Sequence, residues 1–150
     1  MLERESGHIV FVSSVLGELP SPGHAVYGAS KFAVSGLAES LHYELADRGI
    51  AITLIEPGLV RSEFAVVSGT PLERFEQMPS KTAAETAAII VQAIERKKRY
   101  CVTDRAAKIG IDMRRHFPRT TRLVFAHAWR RMQKKGKVRA DTGDAGVGDS

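Results

Sequence analysis

A short apolar run, a long helical pattern and a second apolar run follow one another near the start of the chain, and this order limits the fold most. Residues 8–13 and 51–55 are rich in Ile and Val and lack the polar alternation of a half-exposed strand. Such runs are typical of strands buried on both faces, as in parallel sheets. Residues 25–47 repeat apolar side chains at helical spacing. Two parallel strands joined by a crossover helix are therefore predicted.

A second helix and a third strand extend this alternation. Thr82 and Glu85 have the spacing of a capping box, and the helix predicted after them, 83–97, has an apolar stripe. Residues 100–103 read as a short third strand. The order β-α-β-α-β predicts an α/β fold, with a doubly wound parallel sheet of three strands and crossover helices.

The second strand is expected to end at Pro57 and Gly58, because proline has no amide to donate within a central strand. Residues 59–80 mix Gly, Ser, Pro and charge and are predicted to be a loop with room for a short helix. Open α/β sheets bind ligands at the carboxyl ends of their strands. The residues that follow each strand are therefore the first candidates for chemistry.

Three side chains with complementary chemistry are predicted near this edge. Tyr27 and Lys31 lie four residues apart near the start of the first helix, so that their Cβ atoms are about 5–6 Å apart on one face. An ammonium beside a phenol favours the phenolate and suits the phenol to proton transfer. Ser14 directly follows the first strand, and its hydroxyl could reach the same place. Each residue alone also fits a structural role on an amphipathic helix or at a strand end.

Two longer stretches combine these features: GHIVFVSSVLGELPSPGHAVYGASKFAVSGLAESLHYEL and GIAITLIEPGLVRSEF. They contain a strand ending in Ser-Ser, a Tyr thirteen residues after Ser14, a Lys four residues later, and a strand ending in Pro-Gly. This joint pattern resembles the second half of the short-chain dehydrogenase/reductase family. The family spacing selects Ser14 rather than Ser13 as the active serine. The resemblance implies a partial Rossmann-type sheet.

The resemblance also implies a role for each matching residue. Tyr27 matches the general acid/base, Lys31 the residue that favours the phenolate and holds the nicotinamide ribose, and Ser14 the hydroxyl that bonds the reacting oxygen. The implied cofactor is NAD or NADP, and the implied substrate is a small alcohol or carbonyl compound. Ser62 stands where many members have Thr. The residues implied to bind the cofactor are Tyr27, Lys31, Pro57, Gly58, Val60 and Ser62.

The chain departs from the family because it contains no G-x-G-x-x-G-like segment, the turn that binds dinucleotide phosphates. It is therefore expected to correspond to the carboxyl-terminal half of a family member, without the residue that selects NAD from NADP. Two functions stay open: an oxidoreductase, or an inactive remnant or interaction module that binds no cofactor by itself. Homo-oligomers are also expected, because the first strand would leave an apolar sheet edge uncovered.

Charge is distributed unevenly along the chain. The net charge is +5, and residues 113–140 hold ten basic and no acidic side chains. Residues 119–135 are predicted to form a basic amphipathic helix, which could bind a membrane surface or lie on the protein's own substrate pocket. The tail 136–150 is predicted to be disordered. The predicted domains are 1–112 (half of a Rossmann-type domain), 113–135 (helical extension) and 136–150 (tail).

Composition limits the cellular location and the kinds of ligand that are expected. The single cysteine, Cys101, cannot form an internal disulfide, so a reducing cytoplasm is expected, with a peripheral membrane position as the alternative. No apolar run approaches the ~20 residues of a membrane span. The five histidines lack metal-ligand spacing, and neither a metal site nor nucleic-acid binding is predicted.

Overall fold

The computed structural model describes residues 1–61 and 80–134, and they form the α/β fold predicted from the sequence. The strands are β1 (Gly7–Val12), β2 (Ile50–Glu56), β3 (Val60–Arg61), β4 (Lys81–Thr82) and β5 (Tyr100–Val102). The helices are α1 (Ala25–Glu44), α2 (Ala83–Glu95), α3 (Arg105–His116) and α4 (Pro118–Lys134). Short 3-10 turns span Val15–Gly17 and Ala46–Arg48.

The main sheet has three parallel strands in the order β1-β2-β5. β2 lies in the centre and is buried along almost its whole length. β1 lies at one edge, where its residues are only partly buried and Val12 is 53% exposed. Within the described residues no strand pairs with the outer side of β1. The sequence predicted burial on both faces for both strands, and only β2 has it here.

Helices cover both faces of this sheet. Successive side chains of a strand point to opposite faces, so β2 contributes residues to both cores. The core between α1 and the sheet is built on Ala38, Ile50, Ile52 and Leu54. The core between α2 and the sheet is built on Ile55, Ala93 and Cys101. The doubly wound arrangement is therefore confirmed.

The signals at helix ends act as the sequence indicated. Gly49 adopts a left-handed φ of 62° after the 3-10 turn that follows α1, a conformation that favours glycine. Thr82 and Glu85 form both halves of the capping box at the start of α2. The turn between α1 and β2 and the beginning of α2 are thus fixed by local sequence.

Two features differ from the prediction. The sequence predicts a loop at residues 60–61, but they pair in parallel with 81–82 as the small sheet β3–β4. The sequence pattern predicts no regular element directly after Asp104, yet α3 begins there, because the Asp104 carboxylate accepts the amide hydrogen of Ala107 at 2.7 Å. The apolar pattern of this segment is weak because Ile111 is the one residue that α3 buries.

The predicted domain division stays a prediction, although α3 continues without a break across position 112. The predicted basic helix is present as α4, from Pro118 to Lys134. The predicted disordered tail, 136–150, lies outside the described residues. Among the helices of 1–61 and 80–134, none has the length and apolarity needed to cross a membrane.

Candidate active site

The site is built where β1 and β2 end side by side. Beyond the last paired residues of the two strands, the amide of Ser13 donates to the carbonyl of Ile55 at 2.8 Å, and the amide of Val15 donates to the carbonyl of Pro57 at 3.0 Å. These bonds continue the parallel ladder into the loops. They place Ser14 beside Pro57 at the carboxyl edge of the sheet, as predicted.

Ser14 is held by its own backbone turn. It caps the 3-10 turn Val15–Gly17, where its Oγ accepts the amide hydrogen of Leu16 at 3.2 Å. The residue is 8% exposed. A hydroxyl that accepts one hydrogen bond still has its own hydrogen to donate. Ser14 can therefore act as a donor to an oxygen atom bound at this edge.

Tyr27 and Lys31 lie in the first turns of α1, and both are half-buried. The Lys31 ammonium lies 5.7 Å from the centre of the Tyr27 ring. The same ammonium donates to the carbonyl of Val12 at 3.3 Å. Because Val12 is two residues before Ser14, this bond ties the helix to the strand end that holds the serine. We call Ser14, Tyr27 and Lys31 the edge residues.

The loop after β2 is fixed by contacts with the end of β5. The amide of Gly58 donates to the hydroxyl of Thr103 at 3.0 Å. A Cβ atom on Gly58 would lie 2.7 Å from the Cβ of Asp104, so a larger residue would force the two loops apart. Sequence patterns did not single out Thr103 or Asp104, because the contact depends on the packing of β5 against β2.

The other residues predicted to bind the cofactor are Pro57, Val60 and Ser62. Val60 lies in β3, where it pairs with Lys81. Pro57 is partly buried and, through its carbonyl, bonded to the loop after Ser14. Ser62 lies outside the described residues. The structure therefore brings Pro57 and Gly58 next to the Ser14 loop, and it fixes Val60 in the neighbouring small sheet.

A buried chain of polar groups runs beneath the edge residues and was not predicted. The Ser13 hydroxyl donates to the Lys31 carbonyl at 3.0 Å and lies 2.9 Å from the hydroxyl of Ser35. Ser35 Oγ and Glu56 Oε1 hydrogen-bond at 3.0 Å, and the Tyr100 hydroxyl donates to Glu56 Oε2 at 2.6 Å. Glu56 is fully buried. We call this set, from the Lys31 carbonyl to Tyr100, the buried polar chain.

The turn Val15–Gly17 packs directly on the buried polar chain. A Cβ atom on Gly17 would lie 2.5 Å from Ser13 Oγ and 2.6 Å from Ser35 Oγ. The next residue, Glu18, is bound by α3: Arg115 donates to its carboxylate at 2.8 Å, and Arg114 donates to its backbone carbonyl. The loop that Ser14 begins is thus held by the buried polar chain and by the two arginines of α3.

A groove of about 870 Å³ lies between α1 and α4. Phe125 and Trp129 of α4 line it, as do Ala25 and Gly28 of α1, whereas Tyr27 is not among its lining residues. Two other apolar residues of α4, Val124 and Ala128, are exposed. The aromatic side chains of α4 therefore face the protein.

Metal ligands are not grouped in the part of the chain that the structure describes. Within 1–61 and 80–134, no three His, Cys, Asp or Glu side chains are arranged to hold a metal ion. Cys101 of β5 is buried with Ile55 and Ala93 in the core under α2, and burial raises the pKa of its thiol. A thiol in this setting is a core side chain rather than a nucleophile.

Comparisons with known proteins identify the family to which the chain is similar. The family model described as short chain dehydrogenase matches residues 1–71. The dehydrogenase/reductase SDR family protein 7-like of Drosophila melanogaster is 34% identical over 125 residues, which are 79% of this chain and 38% of the fly protein. The chain belongs to the short-chain dehydrogenase/reductase family. The edge residues lie within the region that the family model matches.

Solved structures of the family share the fold. A short-chain dehydrogenase from Burkholderia cenocepacia J2315 in complex with NADP superposes with a TM-score of 0.69 at 20% identity, over 83% of this chain and 49% of that one. A family member from Burkholderia phymatum in complex with NAD gives 0.63 at 26% identity, over 77% and 50%. The chain thus spans about half the length of these structures, and less of the fly protein.

Proposed function

We propose that this chain carries the catalytic part of an NAD(P)-dependent oxidoreductase that interconverts a carbonyl and an alcohol by hydride transfer. The observation that supports it most is the position of the Lys31 ammonium, beside the Tyr27 ring and bonded to the strand end two residues before Ser14. A phenol, a cation and a hydroxyl thus share one edge of a parallel sheet, the edge where such sheets bind ligands.

The chemistry of this edge fits the nicotinamide end of NAD(P). An ammonium has three N–H donors, more than the bond to Val12 uses, and these suit the hydroxyl groups of a ribose, as does the Tyr27 phenol. The backbone of the loop after β2 would hold the nicotinamide, through Pro57, Gly58, Val60 and Ser62. The bound cofactor supplies or accepts the hydride. The family structures in complex with NADP and NAD support this assignment.

The side chains of the edge would handle the proton and the oxygen. Tyr27 gives its phenolic proton to the substrate oxygen in reduction and takes it back in oxidation. The neighbouring Lys31 ammonium stabilises the phenolate that remains. Ser14 donates a hydrogen bond to the same oxygen, and this bond strengthens as negative charge develops there.

Replacing Tyr27 tests this function most directly. Tyr27→Phe removes the proton donor and keeps the ring, so we expect carbonyl reduction, followed by NADPH or NADH absorbance, to fall about 10²- to 10⁴-fold. The matched control is Tyr43→Phe, on the same helix, where the hydroxyl bonds to Arg99 and the residue is 64% exposed. Full activity in Tyr27→Phe would contradict the proposed mechanism.

The second candidate is an interaction module without catalytic activity, and the outer side of β1 favours it. An unpaired strand edge with apolar, half-buried residues is a template for association with another chain. Equilibrium dialysis against NADH and NADPH separates the two candidates, because only the oxidoreductase binds either cofactor. For α4 we propose packing on the protein itself rather than on a membrane, since Phe125 and Trp129 line the groove against α1.

A further inference from the structure

Glu56 is a fully buried acid that the proposed reaction does not use. It is the last residue of β2, and both carboxyl oxygens are engaged: Oε2 by the Tyr100 hydroxyl at 2.6 Å and Oε1 by Ser35 Oγ at 3.0 Å. A buried ionised carboxylate is costly unless it is paired with a cation. Both of its direct hydrogen-bond partners are uncharged hydroxyl groups.

The number of hydrogens in the buried polar chain decides the state of this acid. Four oxygen pairs lie within 3.0 Å along it: Tyr100 with Glu56, Glu56 with Ser35, Ser35 with Ser13, and Ser13 with the Lys31 carbonyl. Each pair needs one hydrogen. The three hydroxyl groups supply three, and a carboxylate supplies none. An ionised Glu56 would therefore leave two oxygens in contact without a hydrogen between them.

The direction of the chain follows from its carbonyl end. A carbonyl can only accept, so Ser13 donates to Lys31. Ser35 must then donate to Ser13, and the hydrogen between Ser35 and Glu56 must come from Glu56. Tyr100 donates to the other carboxyl oxygen. A protonated Glu56 gives every pair one hydrogen.

We propose that Glu56 stays protonated in the folded protein and is a positioning residue, which donates to Ser35 and so anchors the carbonyl of Lys31 to the end of β1. The anchored helical turn carries the Lys31 side chain, and the anchoring serine is the neighbour of Ser14. Glu56 thereby fixes the distance between the helix and the strand that bear the edge residues. The positioning role rests on the proposed function; the protonation does not.

The electrostatic surroundings agree with this assignment. Burial raises the pKa of the Glu56 carboxyl, and the Glu18 charge acts in the same direction. The Tyr100 hydroxyl, which donates to the carboxyl, and the Arg115 charge lower this pKa. Arg115 is itself bonded to the Glu18 carboxylate at 2.8 Å, and its guanidinium lies over the Tyr100 ring. The small cavity beside Tyr100 has further ionisable residues in its lining: Glu39, His42 and Arg99.

Glutamine can replace a protonated glutamate here, because its carbonyl can accept from Tyr100 and its amide can donate to Ser35. We expect Glu56→Gln to keep the wild-type kcat and to melt no lower than the wild type. Glu56→Leu cannot donate to Ser35 and should lower kcat on the order of 10- to 100-fold through misplacement of the edge residues. A large loss of kcat or stability in Glu56→Gln would overturn the proposal.

The pH dependence of stability tests the proton without any activity assay. In the unfolded chain Glu56 loses its proton above its ordinary pKa of 4.5, whereas the folded protein keeps it. The folding equilibrium constant of the wild type, divided by that of Glu56→Gln, should therefore fall as pH rises above 4.5, by up to tenfold per pH unit. A ratio that stays constant or rises would show an ionised Glu56 and overturn the proposal.

An infrared difference spectrum reads the same proton directly. Wild type minus Glu56→Gln at pH 7 should show the carbonyl stretch of a carboxylic acid, and carboxylate bands instead would refute the protonation. If the spectrum shows the acid but Tyr27→Phe keeps full activity, the proposed function fails and the protonated Glu56 stands. If Tyr27→Phe loses activity and the spectrum shows a carboxylate, only the Glu56 proposal fails.

Discussion

The edge residues and the buried polar chain meet at two adjacent serines, Ser14 and Ser13. Ser14 caps a turn and has a hydroxyl hydrogen to offer, whereas Ser13, 3% exposed, is surrounded by the Lys31 carbonyl and Ser35. Two adjacent serines therefore serve different purposes: Ser14 can donate to a bound oxygen, and Ser13 anchors the Lys31 carbonyl. In an extended segment successive side chains point to opposite sides, which allows one strand end to present a reactive group and to anchor it.

The largest expected contrast is between the two serine-to-alanine variants. Ser14→Ala removes a donor to the oxygen on which charge develops, so kcat should fall about 10²- to 10³-fold. Ser13→Ala removes no donor to the reacting oxygen but cuts the buried polar chain at the Lys31 carbonyl, so kcat should fall less, on the order of 10-fold. The buried polar groups that it leaves unsatisfied should cost about 1–3 kcal/mol of unfolding free energy. Steady-state rates and urea denaturation measure the two effects. If Ser13 proves essential for rate and Ser14 dispensable, the assignment of the two serines is wrong.

A smaller effect is expected from adding a methyl group at Gly17, where the turn Val15–Gly17 packs on the buried polar chain. Gly17→Ala would place a Cβ atom 2.5 Å from Ser13 Oγ, and overpacking of this kind costs about 1–3 kcal/mol. Gly36→Ala is the matched control in α1, because nothing lies within 4 Å of its added Cβ, and it should stabilise the helix by up to about 1 kcal/mol. Equal changes in melting temperature for both variants would contradict the packing described here.

The smallest expected effect concerns the outer side of β1. We expect the protein to associate through this edge, and Val12→Lys to shift it toward the monomer, because a lysine on an edge strand opposes pairing. The matched control is Val91→Lys on α2, since the two valines are 53% and 52% exposed. Sedimentation velocity over a range of concentrations measures the change. A wild-type protein that stays monomeric throughout would refute the association.

The edge residues were predictable because short spacings bring them together. Tyr27 and Lys31 share a helix face through a separation of four, and Ser14 follows an obvious strand. The buried polar chain was not predicted, because Ser13, Ser35, Glu56 and Tyr100 come from separate elements and have no common spacing. One signal was available: an acid within the apolar run that ends at Pro57 is unexpected in a central strand. It indicates a buried polar partner but does not identify it.

In the fold, too, features set by local sequence were predicted and features set by contacts between distant residues were not. Strong periodicity and a capping box predicted the three-stranded sheet and its two crossover helices to within a few residues at each end. The pairing of Val60 with Lys81 could not be predicted, since two-residue strands have no periodicity. The helix α3 was missed because its stability depends on one cap, Asp104, and on contacts with distant loops.

The bonds between α3 and Glu18 also determine when the site is completed during synthesis. Arg114 and Arg115 reach back 96 and 97 positions to this loop residue. At about 5–20 residues per second, a ribosome needs roughly 5–20 s to add that stretch. Until then β1, α1 and β2 have emerged, but the loop that Ser14 begins lacks the arginines that hold it. The candidate active site is therefore encoded early in this sequence and assembled late, after α3 has left the ribosome.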